Sequence, residues 1–157
     1  MKICYLSTIN ALASDDIELF KTIIKPIKDI NQVFHSYFPR ESLKHNRFRD
    51  HLLIDIAIVF QSTKCVKYLI SKGAEINRNI DYDPVIFLAA RKVAGSGKFE
   101  ILEALAKAKA NFAVKDPYGR TIFQNIEELQ RNPLTMKIET EVFPYYFKVL
   151  DFIKKHI

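Results

Sequence analysis

With two cysteines, four glycines, six prolines and no tryptophan among 157 residues, the chain excludes several kinds of protein before any motif is considered. Two cysteines cannot frame a disulfide-stapled domain. Cys65 falls on an apolar helical stripe and reads as a reduced, buried thiol, which points to a reducing, cytoplasmic compartment. So few glycines and prolines supply no flexible linker, and no tract is of low complexity, so a single domain over residues 1–157 is expected. No apolar run approaches the ~18 residues of a membrane-spanning helix, since Leu52 to Phe60 is short and broken by Asp55. The opening residues pass into Ser7, Thr8 and Asn10 before an apolar stretch of signal-peptide length forms, so no such signal is expected.

What the chain does have is a repeated spacing. Asn31 stands 20 positions after Ala11, and Asn77 stands 20 after Ala57. Ile17, Leu19, Phe20, Ile23 and Ile24 fall inside the first interval, and Cys65, Val66, Leu69 and Ile70 fall in register inside the second. Each set predicts the buried face of a helix. A third interval, Ala89 to Ala113, is 24 positions long and carries Phe99, Ile101, Leu102, Leu105 and Ala106. Its four extra residues are expected to form a Gly95-Ser96-Gly97 elbow between helices. Each unit therefore reads as a short first helix, a tight turn, a longer second helix and an extended return. In the second unit the helices are predicted near 51–60 and 63–71, with Gly73 closing the latter at positive φ. Ala11, Ala57, Ala89 and Ala90 mark where a neighbouring helix must come close.

Asp116-Pro117-Tyr118-Gly119-Arg120-Thr121 fits an Asp-x-x-Gly-x-Thr turn at every fixed position, with Thr121 eight positions after Ala113. Together with Leu88-Ala89-Ala90, Gly73-Ala74-Glu75-Ile76-Asn77 and Lys28-Asp29-Ile30-Asn31, this pattern resembles the ankyrin-repeat family, whose unit is ~33 residues. The resemblance implies an all-α, ankyrin-like solenoid of helix-turn-helix repeats with atypical end repeats. Four units are expected, at 6–34, 50–80, 83–115 and 116–157, with an insert at 35–49 that mixes aromatic residues and arginine. No complete Thr-Pro-Leu-His stretch is present, and Asp55 and Phe87 stand where the family has histidine.

Catalytic and cofactor chemistry finds little to stand on. Gly95-Ser96-Gly97-Lys98 looks like the end of a phosphate-binding loop, but Phe99 replaces the metal-binding hydroxyl and Lys92 stands at the first glycine position. His35, His45, His51 and His156 show no metal-ligand spacing. Asp15-Asp16 and Glu127-Glu128 are adjacent pairs that diverge by ~100° on a helix, and Asp15-Asp16 suits the positive end of the helix that follows. Neither an enzyme nor a cofactor is expected.

The formal charge is +6, and residues 91–115 hold six basic side chains against two acidic ones. Such a patch can attract nucleic acid or an anionic membrane, which is the alternative function, but no base-stacking aromatic array accompanies it. The resemblance instead implies a non-catalytic scaffold, a monomer, that holds a protein partner through its concave face and turn tips. Carried onto this sequence, those positions are Phe60, Tyr82, Arg91, Lys92, Tyr118 and Arg120. Aromatic and arginine side chains there are suited to anchor an interface. A composition rich in Lys, Ile and Asn suits a protein that intracellular bacteria deliver into host cells.

Overall fold

The computed structural model describes residues 5–32, 34–35, 50–78, 84–131 and 143–157. Eight helices carry the described chain: α1 (Tyr5–Ala13), α2 (Ile17–Ile24), α3 (Leu53–Val59), α4 (Thr63–Ser71), α5 (Val85–Ser96), α6 (Phe99–Lys107), α7 (Ile122–Arg131) and α8 (Tyr146–Lys154). Added to these is one antiparallel ladder of two residues a side, β1 (Phe34–His35) against β2 (Asp50–His51). That ladder departs from the purely helical expectation, and it brackets the insert, whose residues 36–49 lie outside the described ones. Contacts divide the chain into two compact units, Met1–Ala74 and Glu75–Ile157.

The first unit is built from two helix hairpins, α1 with α2 and α3 with α4, and α2 also packs on α4. Ala11 and Ala57 are fully buried, as expected where helices approach closely. Of the predicted α2 stripe, Phe20 and Ile24 are buried, but Leu19 is 42% exposed. An eight-residue helix covers its neighbour with a narrow stripe, and Leu19 lies beside it. Asp16 caps α2 by accepting from the Leu19 amide at 3.0 Å. Asp15 does not share that task, contrary to expectation. Its carboxylate accepts the Lys64 amide at 3.0 Å, so it caps α4 instead.

Helix ends repeat more faithfully than the residues that form them. Asp15, Gln61, Gly73 and Lys109 all have φ between 49° and 84°, each just past a helix. At each, the amide reaches the carbonyl three residues back and the next amide reaches five residues back, as in Gly73 to Ile70 and Ala74 to Leu69, or Lys109 to Ala106 and Ala110 to Leu105. This paired closure ties off the orphan carbonyls of a helix end. Gly73 does it without strain. Lys109 carries a Cβ into the same left-handed conformation, so Lys109→Gly is expected to raise stability by about 0.5–1 kcal/mol in urea unfolding, with no change in helical content.

In the second unit α5 is central, and α6, α7 and α8 all pack on it. Val85, Ile86, Phe87, Ala89, Ala90, Val93 and Ala94 supply its buried surface. The expected Gly95-Ser96-Gly97 elbow is corrected here. Gly95 and Ser96 belong to α5, and only Gly97 turns, at φ 72°. The left-handed residue comes four positions after Ala57 and eight after Ala89, so the extra residues add about one helical turn. A Cβ at Gly97 would lie 2.7 Å from the Tyr145 ring, so glycine is required twice over. Tyr145 leads into α8, whose Phe152 packs on Phe99 and Phe112 with ring centroids 6.2 Å apart in each case.

Two asparagines do the same work at equivalent places. Asn31 Nδ2 donates to the Gly73 carbonyl at 3.1 Å in the first unit, and Asn77 Nδ2 donates to the Lys109 carbonyl at 3.0 Å in the second. Each reaches the left-handed residue that ends a later helix, α4 in the first case and α6 in the second. Asn77 Oδ1 also accepts from the Asn111 amide at 2.7 Å.

Candidate partner-binding surface

The turn after α6 is organised around one carboxylate. Asp116 is 5% exposed and its Oδ1 accepts the amides of Tyr118 and Arg120, both at 2.9 Å. Its Oδ2 takes the Arg120 Nε at 2.7 Å. Gly119 at φ 76° lets the chain double back, so that the Asp116 amide meets the Arg120 carbonyl at 3.0 Å. Burial alone would push the Asp116 carboxyl up, but the Arg120 and Tyr118 amides and the Arg120 guanidinium outweigh it and hold the group below its ordinary value. Thr121 then starts α7 with a reciprocal cap: its amide donates to Gln124 Oε1 at 2.8 Å, and the Gln124 amide donates to Thr121 Oγ1 at 3.3 Å.

Tyr118 stands at the tip, 75% exposed, with the Arg120 guanidinium 4.9 Å from its ring centroid. Arg120 is fixed on its other side by Glu128 of α7. One turn earlier on α7, Asn125 is 7% exposed and accepts from Arg91 Nη1 at 2.9 Å. Residues 125 and 128 share a helix face, so α7 brings Arg91 of α5 and Arg120 of the turn to one side of the second unit. Both arginines thus have partners inside the chain. Lys92, the next residue on α5, is half-buried and turned by ~100° from Arg91. Phe60 belongs to the first unit, where it is the half-buried residue closing α3. Tyr82 lies outside the described residues.

Asn125 is the member that the sequence reading missed. A polar residue inside a helix carries no signal that an arginine on another helix will meet it. The Gly95-Ser96-Gly97-Lys98 stretch holds its amides within the chain: Gly97 donates to the Val93 carbonyl at 2.8 Å, Lys98 to Ser96 Oγ at 3.2 Å and Phe99 to the Gly97 carbonyl at 2.9 Å. Those are the donors that a phosphate cradle would offer. Cys65 is a fully buried free thiol, and burial, with Asp15 nearby, pushes it up to about 12. It therefore has little thiolate character. Among the described residues no group of three or more His, Cys, Asp or Glu could hold a metal ion, and no helix is long and apolar enough to cross a membrane.

No family model matches the chain, and no curated protein is significantly similar to it.

Proposed function

We propose that the chain is a degenerate ankyrin-type repeat protein, non-catalytic, that binds a protein partner through the turn tip and the adjoining α5–α7 face of its second unit. The helix hairpins, the recurring left-handed helix ends and the matched asparagine ties support the repeat reading. Tyr118 carries the functional one. A large ring left three-quarters exposed on a turn that is braced at Asp116, Arg120 and Glu128 loses little rotamer freedom when a partner covers it. The Arg120 guanidinium covers part of the ring and holds it in place, while most of its area stays open to solvent. A cytoplasmic site of action, and delivery into a host cell, remain part of the proposal on composition alone.

Capture of binding proteins from host-cell extract, compared between the wild type and Tyr118→Ala, tests this reading. The alanine variant is expected to lose about 2 kcal/mol or more of binding to a partner the wild type retains, with an unchanged helical spectrum. Equal retention by Tyr118→Ala and Arg91→Ala would remove the surface from consideration. Binding that collapses between low and moderate salt would instead favour a nucleic-acid module.

A further inference from the structure

A second surface lies in the first unit, on residues the expected partner face does not include. Where α2 and α4 end, a groove of about 800 Å³ is lined by Lys21, Lys25 and Lys28, in and just after α2, and by Tyr68 and Lys72 at the end of α4. The Lys21 and Lys72 ammonium groups stand 5.6 and 5.5 Å from the centre of the Tyr68 ring. Lys21 is paired with Glu18 at 2.8 Å, but Lys25, Lys28 and Lys72 make no ion pair among the described residues. The lining carries one acid, Asp29, whose Oδ1 is taken by the Asn31 amide at 2.9 Å. Two helix C-termini supply roughly −0.5 each, which offsets about one lysine and leaves a positive surplus. Like charges gathered around one groove repel one another, and a ligand bearing several negative charges relieves that repulsion.

The walls restrict what kind of anion fits. Ile27 and Ile30 are half-buried along the groove and offer apolar contact between the ammonium groups. Tyr68 already has cations over its ring, so it offers a poor platform for stacking a nucleic-acid base. Lysines act as point charges on flexible stems, which suits carboxylates spaced along an extended chain better than one planar group held in a fork.

We infer that this groove binds an extended acidic segment of a protein partner, in which carboxylates alternate with aliphatic side chains. The inference shares with the proposed function only that the partner is a protein, and it places acidic recognition in the first unit, independent of Tyr118. A fluorescein-labelled peptide of about ten residues, Glu alternating with Ile and Val, is long enough to cross the groove when extended. Titrated with the full chain, it is expected to bind, and Lys25→Gln/Lys72→Gln is expected to weaken it at least tenfold. Charge reversal to Lys25→Glu/Lys72→Glu should abolish it. Lys107→Glu/Lys115→Glu and Tyr118→Ala serve as controls and should leave affinity unchanged, so that failure here is distinct from failure of the Tyr118 surface. Lys25, Lys72, Lys107 and Lys115 are all exposed, and an unchanged circular-dichroism spectrum confirms that each variant is folded. Absence of peptide binding, equal losses in the control variants, or equally tight binding of oligothymidylate or tripolyphosphate would overturn the assignment.

Discussion

Phe87→His, which installs the residue that the proposed ankyrin-type register would have there, is expected to destabilise this protein by about 3–4 kcal/mol and lower its Tm by about 10 °C. Phe87 is fully buried on α5, as are Val85, Ile86, Ala90 and Val93 of the same helix. Imidazole is smaller than phenyl and brings ring nitrogens that need partners in an apolar setting, so the variant pays both a cavity and a desolvation cost. Phe87→Leu separates the two, because it removes volume without adding polarity and should cost only about 1 kcal/mol. Urea unfolding monitored by circular dichroism reads both. Arg91 lies one helical turn further along, so the histidine variant should also loosen its 2.9 Å bond to Asn125. A histidine variant as stable as the leucine one would mean that the core is looser than this packing.

Asp116→Ala is expected to cost about 2–3 kcal/mol and to weaken partner binding as much as Tyr118→Ala does. The carboxylate receives two amides and a guanidinium while nearly buried, and its loss leaves those donors without the acceptor that shapes the turn. The cost should depend on pH in one direction. Because the folded-state carboxyl titrates below its ordinary value of 3.8, its contribution is fully present above that pH. It is lost as pH falls through the lower folded value. Denaturant titrations of wild type and Asp116→Ala should therefore differ fully at pH 7 and converge in strong acid. A difference that persists unchanged below the folded-state value would show that the side chain acts by shape and not by charge.

Particular elements show what was legible. The predicted helix at 63–71 is α4, residue for residue, because Cys65, Val66 and Leu69 repeat with helical spacing and Gly73 follows. The predicted helix near 51–60 is shorter, Leu53–Val59, since Asp50 and His51 pair with β1. Asp55 sits in the first turn of α3 and accepts the Leu52 amide at 2.9 Å, a use that its short-range spacing permits. The Asp116–Thr121 turn is readable for the same reason: the bonds that Asp116 accepts close within four residues. At the candidate surface, Tyr118 and Arg120 were found from that turn, whereas the convergence of Arg91 on Asn125 spans 34 positions and was not.

The elements misread share one feature. Gly95 and Ser96 look like a break, yet α5 packs against α6, α7 and α8, and tertiary packing outweighs the roughly 1 kcal/mol propensity penalty of one glycine. Asp15, Gln61 and Lys109 occupy left-handed positions that no local preference announces.

By itself, the sequence determined where most helices lie, which faces they bury, and the turn that Asp116 organises through bonds within four residues, because periodicity and short-range chemistry are written in neighbouring residues. Only the tertiary structure decided that Asp15 caps a helix beginning 48 positions later, that Asn31 and Asn77 reach the helix ends at Gly73 and Lys109, and that Lys72 joins Lys21, Lys25 and Lys28 in one groove with Tyr68. Those pairings depend on which buried faces meet. That is settled by packing of the whole unit, and no single segment carries it.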